Sequence, residues 1–163
     1  MDWEGLRDRI KEHGLRHSTV SAIMPCESSS VIQCSTNGIE PIRSYITYKK
    51  SKARTLPVIV PNYSFLKNKY TLAYEMEDNV GLIKIVGALQ KWVDMSISAN
   101  MYYNYEHYEN GALPDSKVIK EILLAYKLGW RTGYYNNTDD GDKQSSSGEE
   151  QSDNGCESGA CAL

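Results

Sequence analysis

NVGLIKIVGALQKWVDM at 79–95 and the following SISANMYY at 96–103 decide the fold, because the first stretch reads as a helix and the second as a strand. A further strong helical stretch covers 115–130, with Pro114 next to its start, and 130–136 then reads as a last strand. Helix and strand in alternation argue for α/β layering with parallel strands. Two or three parallel strands bury too little by themselves and need neighbours.

Upstream, WEGLRDRIKEH at 3–13 sets Trp3, Leu6 and Ile10 at helical spacing, and Gly14 closes the segment. STVSAIM at 18–24 reads as a short buried strand ended by Pro25, followed by Cys26-Glu-Ser-Ser-Ser30 and a short helix to about Cys34. Residues 45–60 read as a hairpin around the basic turn KKSKAR, with Pro57 and Pro61 marking an edge or an exit. Tyr63, Leu66, Tyr70 and Tyr74 suggest a helix over 62–76.

Composition narrows the function class. The 163 residues can bury a sizeable core, and no apolar run approaches the ~18 to 20 residues of a membrane span. The start, MDWEGLRDRIKEHG, lacks the hydrophobic centre of a signal peptide, so a cytosolic chain with reduced thiols is expected. Residues 141–163 hold five acids against one base, which leaves a net charge of only +1 on the first 140. That is too little concentrated basic charge to argue for nucleic acid.

Residues 141–161, GDKQSSSGEEQSDNGCESGAC, have no large apolar side chain and read as an unstructured tail carrying Cys156 and Cys161. The coil from 140 to 156 spans roughly 20 to 24 Å and reaches at most about 55 Å. A bridge between the two thiols has no local fold to stabilise, so a swinging redox arm is one reading. Incidental cysteines and a metal hook are the others, zinc being the weakest because no further ligands lie nearby.

Two more constellations bear on chemistry. Cys26, Glu27, Ser28, Ser29 and Ser30 stand where a strand gives way to a helix, where free backbone N–H groups suit a phosphate. Simple capping by Ser28 to Ser30 is the reading that the sequence alone favours. Tyr134 and Tyr135 are adjacent on the last predicted strand, where neighbours point to opposite faces, so a shared layer needs a local twist. Tyrosine serves as a redox relay because its phenol can shed a proton with the electron. Tyr102, Tyr103, Tyr105 and Tyr108 are explained by aromatic packing. His13, His17 and His107 show no metal spacing and read as surface residues, and Cys26 and Cys34 read as buried thiols.

The order GLRHSTVSAIMPCESSS, TNGIEP, KWVDMSISAN, AYKLGWRTGYYNNT and a CESGAC end closely resembles the C-terminal part of the large (alpha) subunit of class I ribonucleoside-diphosphate reductase. The resemblance covers nearly the whole chain. It implies that residues 1–140 supply the closing strands and helices of a ten-stranded α/β barrel, with a β-hairpin, and that 141–163 form a disordered, redox-active tail. It places the substrate-phosphate loop on Cys26, Glu27, Ser28, Ser29 and Ser30, and a stacked radical-transfer pair on Tyr134 and Tyr135. Cys156 and Cys161 fall on the shuttle that re-reduces the active-site disulfide and is itself reduced by thioredoxin or glutaredoxin.

The same resemblance implies that this fragment binds no metal or cofactor itself. A dimetal/tyrosyl-radical cofactor is expected in the small subunit, and nucleotide effectors on an N-terminal part that this sequence lacks. Alone, the chain is expected to be inactive in the cytoplasm, that of a host cell if virus-encoded. A truncated gene and one piece of a split large subunit both fit, and the intact motifs favour the split enzyme. A non-catalytic remnant that binds the small subunit or a thioredoxin-type reductant is the alternative. A free-standing dithiol oxidoreductase is disfavoured by the absence of CxxC. Met95, Ile42 and Ala162 depart from the family pattern, where Gln, Pro and a base are usual, and the last departure bears on reductant docking.

Overall fold

The structure is a computed structural model that describes residues 1–50, 55–139 and 151–152. Helix α1 (Trp3–His13) forms as expected: Asp2 accepts a hydrogen bond from the Gly5 N–H at 2.9 Å, and Gly14, at φ 74°, ends it. Residues 18–24 form no strand and are not buried, Val20 being 74% exposed. The segment has a neighbour on one side: Met95 N–H donates to Ser21 O and Ser98 N–H to Ile23 O, both at 3.2 Å.

Asp94 fastens that segment. Its carboxylate accepts from Val20 N–H at 3.0 Å and from the Ser21 hydroxyl at 3.1 Å, and these bonds, Val20's first, lower its pKa. A depressed carboxylate stabilises above its unfolded value and releases as pH falls through its folded one. Exchange protection of the Val20 amide is therefore expected to persist at neutral pH and to disappear below the ordinary aspartate value of 3.8. Protection unchanged down to pH 2 would show that other contacts hold the segment.

Helix α2 (Glu27–Ile32) is short and begins at Cys26, with no side-chain cap, so the capping reading of the serines fails. The hairpin joins β1 (Ile46–Lys50) and β2 (Thr55–Ile59) antiparallel, with Tyr48 opposite Pro57. The basic turn at 51–54 lies outside the described residues. Pro57 sits on an edge strand, where a missing N–H costs no ladder bond.

The helix expected over 62–76 is broken. Only α3 (Tyr63–Leu66) and two 3₁₀ turns, Lys67–Lys69 and Ala73–Glu75, form, with Tyr70 and Leu72 extended between them. Tyr70 instead sends its hydroxyl to Pro61 O at 2.8 Å, and Ala73 N–H pairs with Ile42 O. Tertiary contacts override the local period here.

Helix α4 (Val80–Leu89) continues as a 3₁₀ turn to Trp92. Asp78 accepts from Val80 N–H at its start. Leu82, Ile83 and Val86 form its buried face, each stabilising by about 1.5 to 3 kcal/mol. It stops short of the predicted 95 because buried Gln90 gathers the next loop, donating to Val93 O and Met95 O and accepting from Ile97 N–H. β3 (Met101–Asn104), α5 (Asp115–Lys127) and β4 (Asn136–Asp139) complete a unit in which β3 and β4 pair parallel, Met101 opposite Asn136. The last strand thus lies later than the 130–136 read from sequence. Gly129, at φ 87°, turns the chain out of α5 toward it.

Gly87 is where α4 meets α5. A Cβ there would lie 2.8 Å from the Leu128 carbonyl oxygen and 3.0 Å from Leu128 Cβ. Gly87→Ala is expected to destabilise by about 1 to 3 kcal/mol despite alanine's better helix propensity, read from denaturant unfolding. A neutral or stabilised variant would mean that the two helices separate easily.

The sheets are partial: β2-β1-β5 and β3-β4, where β5 (Gln151–Ser152) runs parallel to β1 at Lys49–Lys50. Those two tail residues correct the expectation of a wholly unstructured tail, since the open side of β1 offers them a ladder. Cys156, Cys161 and the remainder lie outside the described residues. Mixed helix and strand agree with α/β, but the described residues do not close a barrel. The core is one cluster around Ile83, Val86, Ile97, Ala99, Tyr103 and Trp130.

Candidate functional site

A cleft of about 450 Å³ opens between the β1–β2 hairpin, the loop 35–44 and the far ends of β3 and β4. At one end, Lys49 Nζ lies 3.3 Å from Ser30 Oγ and 3.4 Å from Asn37 Oδ1. The loop is tied to the start of α2 by Cys26 N–H donating to Asn37 O at 2.7 Å. Of Cys26, Ser28, Ser29 and Ser30, four of the residues expected to hold phosphate, Ser30 lines this cleft and is buried. Glu27 opens α2, while Cys26, Ser28 and Ser29 are exposed. Cys26 and Cys34 are free, exposed thiols, not the buried ones expected, because both flank α2 at the surface.

The other end is a polar cluster that sequence reasoning did not single out. Glu40 accepts from Asn100 N–H at 2.6 Å, from Asn100 Nδ2 at 3.1 Å and from the Tyr102 hydroxyl. The Arg43 guanidinium stands 5.6 Å over the Tyr102 ring. Burial first, and Glu40 second, raise the Tyr102 phenol to about 12, so it remains a protonated donor at neutral pH. Glu40 and Asn37 stand in TNGIEP, whose polar residues ahead of a proline were the available signal. Nothing local marked Asn100 as their partner, 60 positions away.

Behind β3 lies a second buried network. Asn79 donates its N–H and Nδ2 to Glu121 at 3.2 and 2.8 Å, and its amide also bonds both backbone groups of Tyr102. Glu121 and burial together hold the Tyr103 phenol above its ordinary value, burial being the larger effect.

Tyr134 and Tyr135 precede β4, outside the cleft. Their ring centroids are 4.2 Å apart with planes tilted by 51°, and each is 59% exposed. Tyr134 N–H donates to Ala99 O at 3.2 Å and Met101 N–H to Tyr135 O at 2.9 Å. Between these ladder bonds, Tyr135 N–H donates to the Asn100 side chain at 3.0 Å. A side chain replacing a backbone acceptor supplies the local departure from strand geometry that two adjacent rings need in order to meet. The Tyr135 phenol, through hydrogen bonding and then charge, raises the pKa of Tyr134.

Among the described residues no group of three or more His, Cys, Asp or Glu side chains is placed to hold a metal, and no helix is long and apolar enough to cross a membrane. α5 is apolar on more than one side: Ala125 faces the core, while Ile119, Ile122, Leu123 and Tyr126 form an exposed stripe.

The family model described as "Ribonucleotide reductase, barrel domain" matches residues 1–136. The chain is 49% identical over 164 aligned positions to ribonucleoside-diphosphate reductase 1 subunit alpha of Salmonella typhimurium, and 48% identical to that of Escherichia coli. Each alignment covers 99% of this chain and 22% of the relative. The alpha subunit of Enterobacteria phage T4 is 39% identical over 142 positions, 86% of this chain and 19% of its own length. The chain thus spans about a fifth of the length of the curated relatives it matches. On this match across most of its residues, the chain belongs to the ribonucleotide reductase barrel-domain family.

Proposed function

We propose that this chain performs the C-terminal share of ribonucleoside-diphosphate reduction for deoxyribonucleotide and DNA synthesis, in the cytoplasm, together with the remaining parts of a large subunit and a small, radical-generating subunit. The observation that supports the reading is the exposed Tyr134–Tyr135 pair, its tilted rings in contact with centroids 4.2 Å apart. Two phenols in contact relay an odd electron: a phenoxyl at one ring takes a hydrogen atom from its neighbour, so one O–H bond forms as the other breaks. Exposure suits a pair that receives its radical from another subunit.

The diphosphate of the substrate would meet the Ser30 hydroxyl at one end of the cleft and the backbone N–H groups of 27–29 in the first turn of α2. Cys156 and Cys161 would pass two electrons and two protons to an oxidised dithiol elsewhere in the subunit, becoming a disulfide that thioredoxin or glutaredoxin reduces again. A dimetal/tyrosyl-radical cofactor belongs, in this reading, to the small subunit. The exposed stripe on α5 and the open sheet edges are the surfaces that the rest of the domain would cover.

The test is nucleoside-diphosphate reduction by this chain combined with the remaining parts of the large subunit and a small subunit. Continuous turnover with thioredoxin is expected for the native tail. Cys156→Ser/Cys161→Ser is expected to stop after about one reducing equivalent per site. An inert native mixture, despite assembly, would leave the chain a binding remnant.

A further inference from the structure

Asn100 is engaged on three of its polar groups. Its N–H and Nδ2 hold the Glu40 carboxylate, and its Oδ1 accepts the Tyr135 N–H at 3.0 Å. Glu40 is in turn held by the Tyr102 hydroxyl, and both Glu40 and Tyr102 line the cleft. A continuous chain of hydrogen bonds therefore runs from the cleft wall to the backbone of the tyrosine pair. At Tyr135 the strand ladder is interrupted, so the Asn100 amide sets that residue's position where a backbone carbonyl otherwise would. The orientation of the amide is fixed by Glu40, which accepts only and so turns Nδ2 inward and Oδ1 toward Tyr135.

We propose that Glu40 and Asn100 are positioning residues for radical transfer, holding Tyr135 against Tyr134 at the relay distance. The proposal rests on the radical-transfer reading of that pair. Asn100→Asp keeps an acceptor for Tyr135 N–H but sets its second oxygen against Glu40, so the two carboxylates repel and the segment shifts. Adding Glu40→Gln restores the pairing with donor and acceptor exchanged: the introduced Nε2 at 40 donates to the introduced carboxylate at 100 and to the Tyr102 hydroxyl oxygen, while its Oε1 still accepts from the backbone N–H of 100.

The experiment uses the complete large subunit with its small subunit and substrate, carrying at position 135 a more easily oxidised tyrosine analogue whose radical is read by electron paramagnetic resonance. Asn100→Asp is expected to lower the rate of radical formation at 135 by about 10- to 100-fold, the penalty of a misplacement near 1 Å, with KM for the diphosphate unchanged. The double variant is expected to recover most of the rate. Radical formation at the native rate in Asn100→Asp overturns the proposal. So does a double variant that folds with native thermal stability yet remains slow. Absence of a radical at 135 in the otherwise native assembly would sink the relay reading itself, a distinct result.

Discussion

Tyr135→Phe, in the assembled enzyme, is expected to reduce turnover by at least ~10³-fold while leaving assembly and substrate affinity unchanged. Phenylalanine packs in the same space, but it has no O–H bond to give up, so the odd electron cannot leave with a compensating proton. A loss of that size corresponds to about 4 kcal/mol in the barrier. The comparison that isolates it is single-turnover reduction by the native and Phe variants at saturating substrate. Because the rings are 59% exposed, loss of one hydroxyl leaves no buried group unpaired, and the expected change in stability is within about ±0.5 kcal/mol. Turnover within tenfold of native would remove Tyr135 from the route.

Glu121→Ala is expected to show the opposite profile, with a fall of about 3 kcal/mol or more in stability. Glu121 is 4% exposed and receives two bonds from fully buried Asn79, which also bonds both backbone groups of Tyr102. Removing the carboxylate strands those donors in an apolar surround, at about 1 to 3 kcal/mol for each, and leaves a cavity besides. Denaturant unfolding gives the size, and exchange of the β3 amides shows whether the damage is centred there. Glu121→Gln, which retains an acceptor, should recover about half. A loss below 1 kcal/mol would mean that water enters and replaces the carboxylate.

The α/β order was legible because α4 and α5 carry long apolar patterns and sit between short strands. Local pattern failed where distant residues decide the backbone. Tyr70 and Ala73 leave the helix predicted over 62–76 because Pro61 and Ile42 offer them better partners. Helix α4 ends early because Gln90 spends its side chain on the loop that follows. The last strand begins at Asn136 because it must register with Met101 of β3, a pairing across the whole length of α5.

The candidate site divides similarly. Tyr134 and Tyr135 stood out as neighbours in the chain, and the close approach of their tilted rings goes with one side-chain hydrogen bond that no spacing rule predicts. The serines at 28–30 were equally visible, yet of the three only Ser30 lines the cleft. Glu40 and Asn100 did not stand out, and Tyr102 read only as aromatic packing, because their meaning is contact between segments and each is ordinary in its own stretch of sequence.

If the tyrosine pair carries the proposed radical, its exposure also fixes when it is safe to use. An oxidised phenol open to water is open to every small reductant dissolved there, and a radical quenched at that point is lost to the reaction. On that proposal the pair would conduct without leakage only while another surface covers it. Docking at this face then acts as insulation as well as delivery, and a short-lived complex favours a charge that crosses quickly over one that waits.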